Sequence, residues 1–330
     1  MTQMNTQRRV TATDIAHEVG VSRATVGFVL NSTPGQTISE ATRQKVLTAA
    51  RRLGYRPHLA AQALASGRNR IVLLVLPDWP IDYSMRRHVD EASTALDEAG
   101  YSLVTMTPHS GGNARPLWQT LQPDVVMGMM PFSAATYDEI RASGVGAVIP
   151  QPTADADVED EALSFSHGPR LQVEHLVERQ HRRLAYAASP DPRLAELVAS
   201  RFALAEETAL KNDAGPVTRA AVDSANVVDV VADWHDSGVT GVVAYNDDVA
   251  ALVVGAAVRQ GIRVPTELAI IGHDDAPISS VFVPSISTVH VDDEGLGRYF
   301  ADLALAAASG AAPPELKHEP QVTVIARESS

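Results

Sequence analysis

Three stretches of this chain hold side chains able to do chemistry. The first, "VTATDIAHEVGVSRATVGFVLN" from Val10 to Asn31, sets hydroxyls and an arginine among short apolar repeats, a composition suited to meeting a polyanion. The second and third, "HDD" at His273 to Asp275 and "HLVERQH" at His175 to His181, carry metal-ligand types without metal-site spacing, so capping or solvated roles are expected and no metal. Nucleophile and phosphate-loop signatures are missing as well. The glycine cluster "GVGAVIP" lacks G-x-G-x-x-G spacing, and neither G-x-x-x-x-G-K-[ST] nor G-x-S-x-G occurs. With no cysteine, disulfides, thiolate zinc sites and thiol nucleophiles are excluded together. An enzyme is therefore not expected, and no cofactor.

Charge separates the chain into a head and a body. Residues 1 to 70 hold ten basic and three acidic residues, a formal +7, which leaves −20 for the rest of a chain of net −13. A cationic head on an acidic body points the head at a polyanion, although a solvated basic surface would show the same pattern. The 330 residues suffice for two or three domains. No apolar run is long enough for a membrane span, and "MTQMNTQRRV" lacks the apolar region of a secretory signal, so a cytoplasmic protein without membrane association is expected.

In the head, Thr11 and Asp14 read as a capping box that opens a short helix with Ile15, Ala16 and Val19 inward and Gly20 as its left-handed stop. Ser22 caps a second helix whose inner face is Val26, Val29 and Leu30. Ser39 opens a third, with Val46, Ala49, Ala50 and Leu53 inside and Gly54 ending it. Three short helices with a tight turn between the first two form a helix-turn-helix, or any small three-helix module; periodicity alone does not separate these. After Gly54, "YRPHLAAQALASG" predicts a further short helix starting at Pro57, marginal by itself.

In the body, "IVLLVLP", "YSLVTM", "DVVMGMM" and "GAVIP" alternate with helical stretches such as "MRRHVDEASTALDEAG". The alternation then recurs through "RRLAYAA", "GVVAYND" and "LAIIGHDD". Continuous apolar strands between helices predict parallel sheets covered on both faces, and two similar halves predict a clamp with a ligand between them at the carboxyl ends of the strands.

The head closely resembles the DNA-binding domain of the lactose/galactose repressor family, whose pattern runs V-T-x-x-D-[IV]-A-x-x-A-G-V-S-x-x-T-V-S-x-V-L-N. The likeness continues through "ISEATRQKVLTAARRLGYRPHLAAQALASGR". In the body, "FSHGPRLQVEHLVERQHRRLAY", "VVAYNDDVA" and "LAIIGHDDAPISSVFVPSISTVHVD" are similar to the family's crossover, its N-D-x-x-A and its glycine-aspartate block. The resemblance implies a helix-turn-helix domain at 1–56 and a hinge helix and linker at 57–70. It implies a periplasmic-binding-protein-like core at 71–330, with halves at about 71–160 plus 289–316 and about 161–288 plus 317–330.

By the same resemblance, Arg23, Ala24 and Phe28 face bases, and Thr11, Ser22, Thr25 and Asn31 hold the sugar-phosphate backbone or helix ends. His58 joins the DNA-binding set, and Leu64 is the minor-groove wedge. Gly27-Phe28 stands where most relatives carry Ser-Arg. Phenylalanine cannot donate to a guanine but can contact a thymine methyl, so an altered operator half-site is expected.

Asp78, Trp79, Tyr83, Phe165, Asn246 and Asp274 are implied as effector ligands. Acceptors and apolar platforms suit a sugar or related metabolite, with a smaller or less hydroxylated effector as the alternative. Asn246 and Asp274 are equally placed to cap the helices that follow them, and Trp79 and Phe165 to fill a core. The family's ligand arginine falls, counting back from Phe202, on Val198, with Arg193 and Arg201 nearby, and His273 replaces an aromatic. The expected protein is a transcriptional regulator, a repressor, that binds a pseudo-palindromic double-stranded operator as a homodimer and answers to a small-molecule effector. The ending "VIARESS" carries no heptad tail, which favours a dimer over a tetramer.

Overall fold

A computed structural model describes residues 10–30, 35–55, 68–109, 111–152, 168–314 and 322–330. The chain divides into two compact units, residues 1–70 and 71–330.

In the first unit, helices α1 (Ala12–Val19), α2 (Arg23–Leu30) and α3 (Glu40–Arg52) form where the capping residues predict them. Thr11 and Asp14 satisfy each other's backbone amides, and Gly20 ends α1 at φ 73°. The Ser22 hydroxyl accepts from Thr25 N at 3.0 Å. Ser39 does the same for Thr42 N at 3.2 Å. Ile15, Val26 and Val46, one from each helix, are fully buried and meet in a single cluster. So small a core tolerates little loss. Ile15→Ala is expected to destabilise the head by about 2–5 kcal/mol, and urea melting followed by a probe within residues 1–70 measures it.

The second unit is built from one motif used twice. Strands β1 (Ile71–Val75), β2 (Ser102–Met106), β3 (Val125–Gly128) and β4 (Ala147–Ile149) form a parallel sheet of order β2-β1-β3-β4. Strands β5 (Leu184–Ala188), β6 (Thr218–Ala221), β7 (Gly241–Ala244) and β8 (Ala269–Ile271) repeat it as β6-β5-β7-β8. The central strands are buried almost throughout, as both-face coverage requires. In the first half, α4 (Tyr83–Glu98) covers one face of the sheet, and α5 (Leu117–Leu121) and α6 (Ala134–Ala142) the other; in the second half, α7 (Gly168–Glu178), α8 (Ala195–Lys211), α9 (Val227–Asp236) and α10 (Asp247–Arg259) pack on the sheet core, and α11 (Pro277–Val281) follows β8.

An antiparallel pair, β9 (Thr288–Val291) and β10 (Val322–Ile325), follows the second sheet. Between them, α12 (Asp293–Ser309) returns to the first half, where Phe300, Ala301 and Ala304 are buried in the same cluster as Val72, Leu96 and Met127. No helix among the described residues is long and apolar enough to cross a membrane.

Candidate functional site

The exposed start of α2 carries an arginine, whereas that of α3 carries Glu40. Arg23 and Ala24 are exposed in the first turn of α2, while Val26 and Val29 face inward. Thr25 and Phe28 are half-buried beside them. Thr11 and Ser22 are engaged as helix caps, with Thr11 Oγ1 donating to Asp14 at 2.7 Å and Ser22 Oγ 2.8 Å from Thr25 Oγ1. Gly27 has no heavy atom within 4 Å of where a Cβ would stand, so the helix itself does not demand glycine there. Asn31, His58 and Leu64 lie outside the described residues.

In the core, a cleft opens at the carboxyl ends of both sheets. It is lined from the first half by Trp79, Asp82, Met85, His88 and Met129, and from the second by Leu194, Leu197, Arg201, Tyr245 and Asp274. About 430 Å³ within it is free of protein atoms, part of that open to solvent. Trp79 packs against the hydrophobic cores of both halves, so the alternative of a plain core residue holds only in part.

Asp82 caps α4 by accepting from Met85 N at 2.9 Å, and Met85 and the buried His88 follow one and two turns along the inner face. Burial raises the Asp82 carboxyl above its ordinary range, and the Asp274 charge adds to that. Asp274 sits at φ 93°, with its amide donating to Val289 O at 2.8 Å. Its carboxylate meets His273 Nδ1 at 2.5 Å rather than capping the next helix. Burial opposes ionisation of Asp274, but His273 overcomes it, with Arg201 and His88 assisting, and the carboxyl is held below its usual range.

Arg201 is buried on α8. It donates from Nη1 to Tyr245 O at 3.0 Å and stacks its guanidinium 4.9 Å from the Tyr245 ring centroid. Val198, the position reached by counting back from Phe202, is 1% exposed and sits in the second-half core; the cleft arginine is Arg201, one turn further along the helix. The seat of Asp274 is fixed from beneath. Gln172 Nε2 lies 2.9, 3.2 and 2.8 Å from the carbonyls of Ala244, Ile271 and Gly272, which ties two strand ends together. At Gly272 any Cβ would fall 2.1 Å from Asp247 Oδ1, so only glycine fits.

The cleft thus brings together two of the expected residues, Trp79 and Asp274. Asp78 stands outside its lining and meets His109 at 3.0 Å. Tyr83 is half-buried in the first turn of α4. Asn246 caps α10, accepting from Val249 N at 3.0 Å, which is the capping alternative realised. Phe165 lies outside the described residues. Asp82, His88 and Tyr245 were missed, and Arg201 entered only as a neighbour of the expected position. One signal was present for two of them: Asp82, Met85 and His88 repeat every three residues, the spacing of one helix face directed inward.

A basic three-helix head and a two-lobed core with a polar cleft define a DNA-reading regulator joined to a small-molecule binding fold. Residues 11–58 match the model of bacterial regulatory proteins of the lacI family, and residues 173–330 match a periplasmic binding protein-like domain. The chain is 28% identical to the lactose operon repressor of Escherichia coli (strain K12) over 92% of its own length and 86% of the repressor's. It is also 28% identical to the HTH-type transcriptional regulator GalR of the same strain, over 97% and 95%. A crystal structure of the lac repressor dimer bound to operator and the anti-inducer ONPF superposes with a TM-score of 0.77 at 22% identity, covering 98% of this chain and 99% of that one. The chain thus joins a lacI-type DNA-binding domain to a periplasmic binding protein-like domain, and the relatives it matches over most of its length are bacterial DNA-binding transcriptional regulators.

Proposed function

We propose that the protein is a cytoplasmic repressor that binds a pseudo-palindromic operator as a homodimer and is regulated by a sugar or related metabolite held in the cleft. Residues 1–56 read DNA, 57–70 are the hinge, and 71–330 form the core, with its halves divided near residues 160, 288 and 317. Arg23, Ala24 and Phe28 face base edges; Thr11, Ser22, Thr25 and Asn31 position the backbone; His58 and Leu64 act at the hinge. In the cleft, Arg201, Asp82 and Asp274 supply donors and acceptors, and Trp79 an apolar platform, while Asp78, Tyr83, Phe165 and Asn246 act around them.

The observation that carries this reading is the exposed Arg23-Ala24 start of α2 on a head of formal charge +7. Selection of duplexes from a random pool by the purified full-length protein is expected to yield an inverted repeat. Equal, salt-labile binding to all sequences would overturn the reading. In the same selection, Phe28→Arg is expected to move the preferred base at one position of each half-site, with discrimination changed by about 1–3 kcal/mol.

The homodimer is supported by an apolar surface on the second half. Val281 and Val283 are 72% and 83% exposed, unusual for valines in a folded core. A Val281→Asp, Val283→Asp double variant is expected to sediment as a monomer at concentrations where the parent is a dimer, and to lose operator affinity with it.

A further inference from the structure

We infer that Asp78 and Arg193 form a charged clasp that holds the two halves of the core shut across the mouth of the effector cleft before any effector enters. Asp78 follows β1 in the first half, and Arg193 stands just before α8 in the second. Arg193 Nη1 lies 3.7 Å from an Asp78 carboxylate oxygen. The guanidinium is already aimed: it donates from Nε and Nη2 to the two oxygens of Asp191 at 3.0 and 2.7 Å, and Asp191 is itself fixed by capping the Arg193 amide. Asp78 is held from its own half by His109, 3.0 Å away. Each partner of the ion pair therefore has an anchor within its own half, and the Asp78 oxygen that meets His109 also faces Arg193 Nη1 of the other half.

The residue after each partner reinforces the contact. Trp79 and Leu194 both line the cleft, and Trp79 packs against the hydrophobic cluster that contains Leu194 as well as against its own. An exposed ion pair alone contributes little. At this place it acts on an equilibrium between open and closed halves, and such an equilibrium needs only a modest bias to change its populations. Asp78 and Arg193 are positioning residues in this role, since neither is needed to touch the effector.

Because the chain has no cysteine, two can be added cleanly for spin labels, Asp138→Cys in the first half and Leu210→Cys in the second, both exposed. The labelled full-length protein, diluted with unlabelled chain so that distances within one chain are read, is measured by pulsed electron resonance without effector or operator. Asp78→Arg and Arg193→Asp are each expected to move the open-to-closed ratio by about fivefold towards open. The double exchange, Asp78→Arg with Arg193→Asp, restores the parent distribution. Single variants with the parent distribution, or a double variant more open than either single one, would overturn the clasp. The experiment uses neither DNA nor effector, so its outcome is independent of the function proposed above.

Discussion

Replacing Arg201 with leucine is expected to destabilise residues 71–330 by about 3–5 kcal/mol at neutral pH, the usual cost of removing one partner from a buried charge cluster. Arg201 is buried, and its charge favours ionisation of both Asp82 and Asp274. It also satisfies Tyr245 O. Leucine keeps much of the volume but leaves two carboxylates in one cleft without that cation. The Asp82 carboxyl then rises further above its unfolded value and the Asp274 carboxyl loses part of what holds it below, so the deficit is largest at high pH and shrinks as acid protonates them. Urea melts at pH 7.5 and pH 5 should show the larger loss at pH 7.5. Equal losses would mean that packing, not charge, explains the effect.

A second large effect is expected at Asp247. This side chain is 1% exposed, and it accepts from Thr288 Oγ1 at 2.6 Å and from Ala276 N at 2.7 Å. Burial pushes its carboxyl up to about 8, against those hydrogen bonds and with the help of the Asp274 and Asp275 charges. The sign follows from proton counting. Between the ordinary carboxyl value and about 8 the folded state holds a proton that the unfolded state has lost, so stability falls as pH rises through that window. Asp247→Asn keeps an acceptor for Ala276 N and offers its amide to the Thr288 oxygen. The variant is expected to be more stable than the parent at pH 8, to match it near pH 4, and to show a flatter stability profile between. An unchanged slope would place the titration elsewhere.

The sequence was most legible where local chemistry and burial agree. Capping pairs such as Thr11 with Asp14 define helix starts without help from the rest of the fold, and strands such as "IVLLV" announce burial on both faces. β6 was not visible because its "TRAA" lies at a sheet edge with most positions exposed and no apolar run to mark it. The pairing of β9 with β10 joins segments about thirty residues apart, and no turn signal spans that distance.

In the site, Asp274 was legible from its motif, whereas Arg201 was not, since a shift of one helical turn separates the core position of Val198 from the cleft. Asp82 is an ordinary helix cap by its local contacts; that it also faces a carboxylate from the other half depends on a fold no local rule contains. Asn246 shows the converse, a motif residue whose carbonyl oxygen is occupied by its own helix.

The return of α12 to the first half bears on how the protein is made. Phe300, Ala301 and Ala304 complete a core begun by Val72 and Leu74. On the ribosome, β1 therefore waits, with apolar surface uncovered, until more than two hundred further residues have been translated. Shortened products ending before residue 293 should emerge with a sticky first lobe and with a second one still lacking β10 and the Ser329 segment that pairs with Ile270, making nascent-chain protection by chaperones most valuable during that interval.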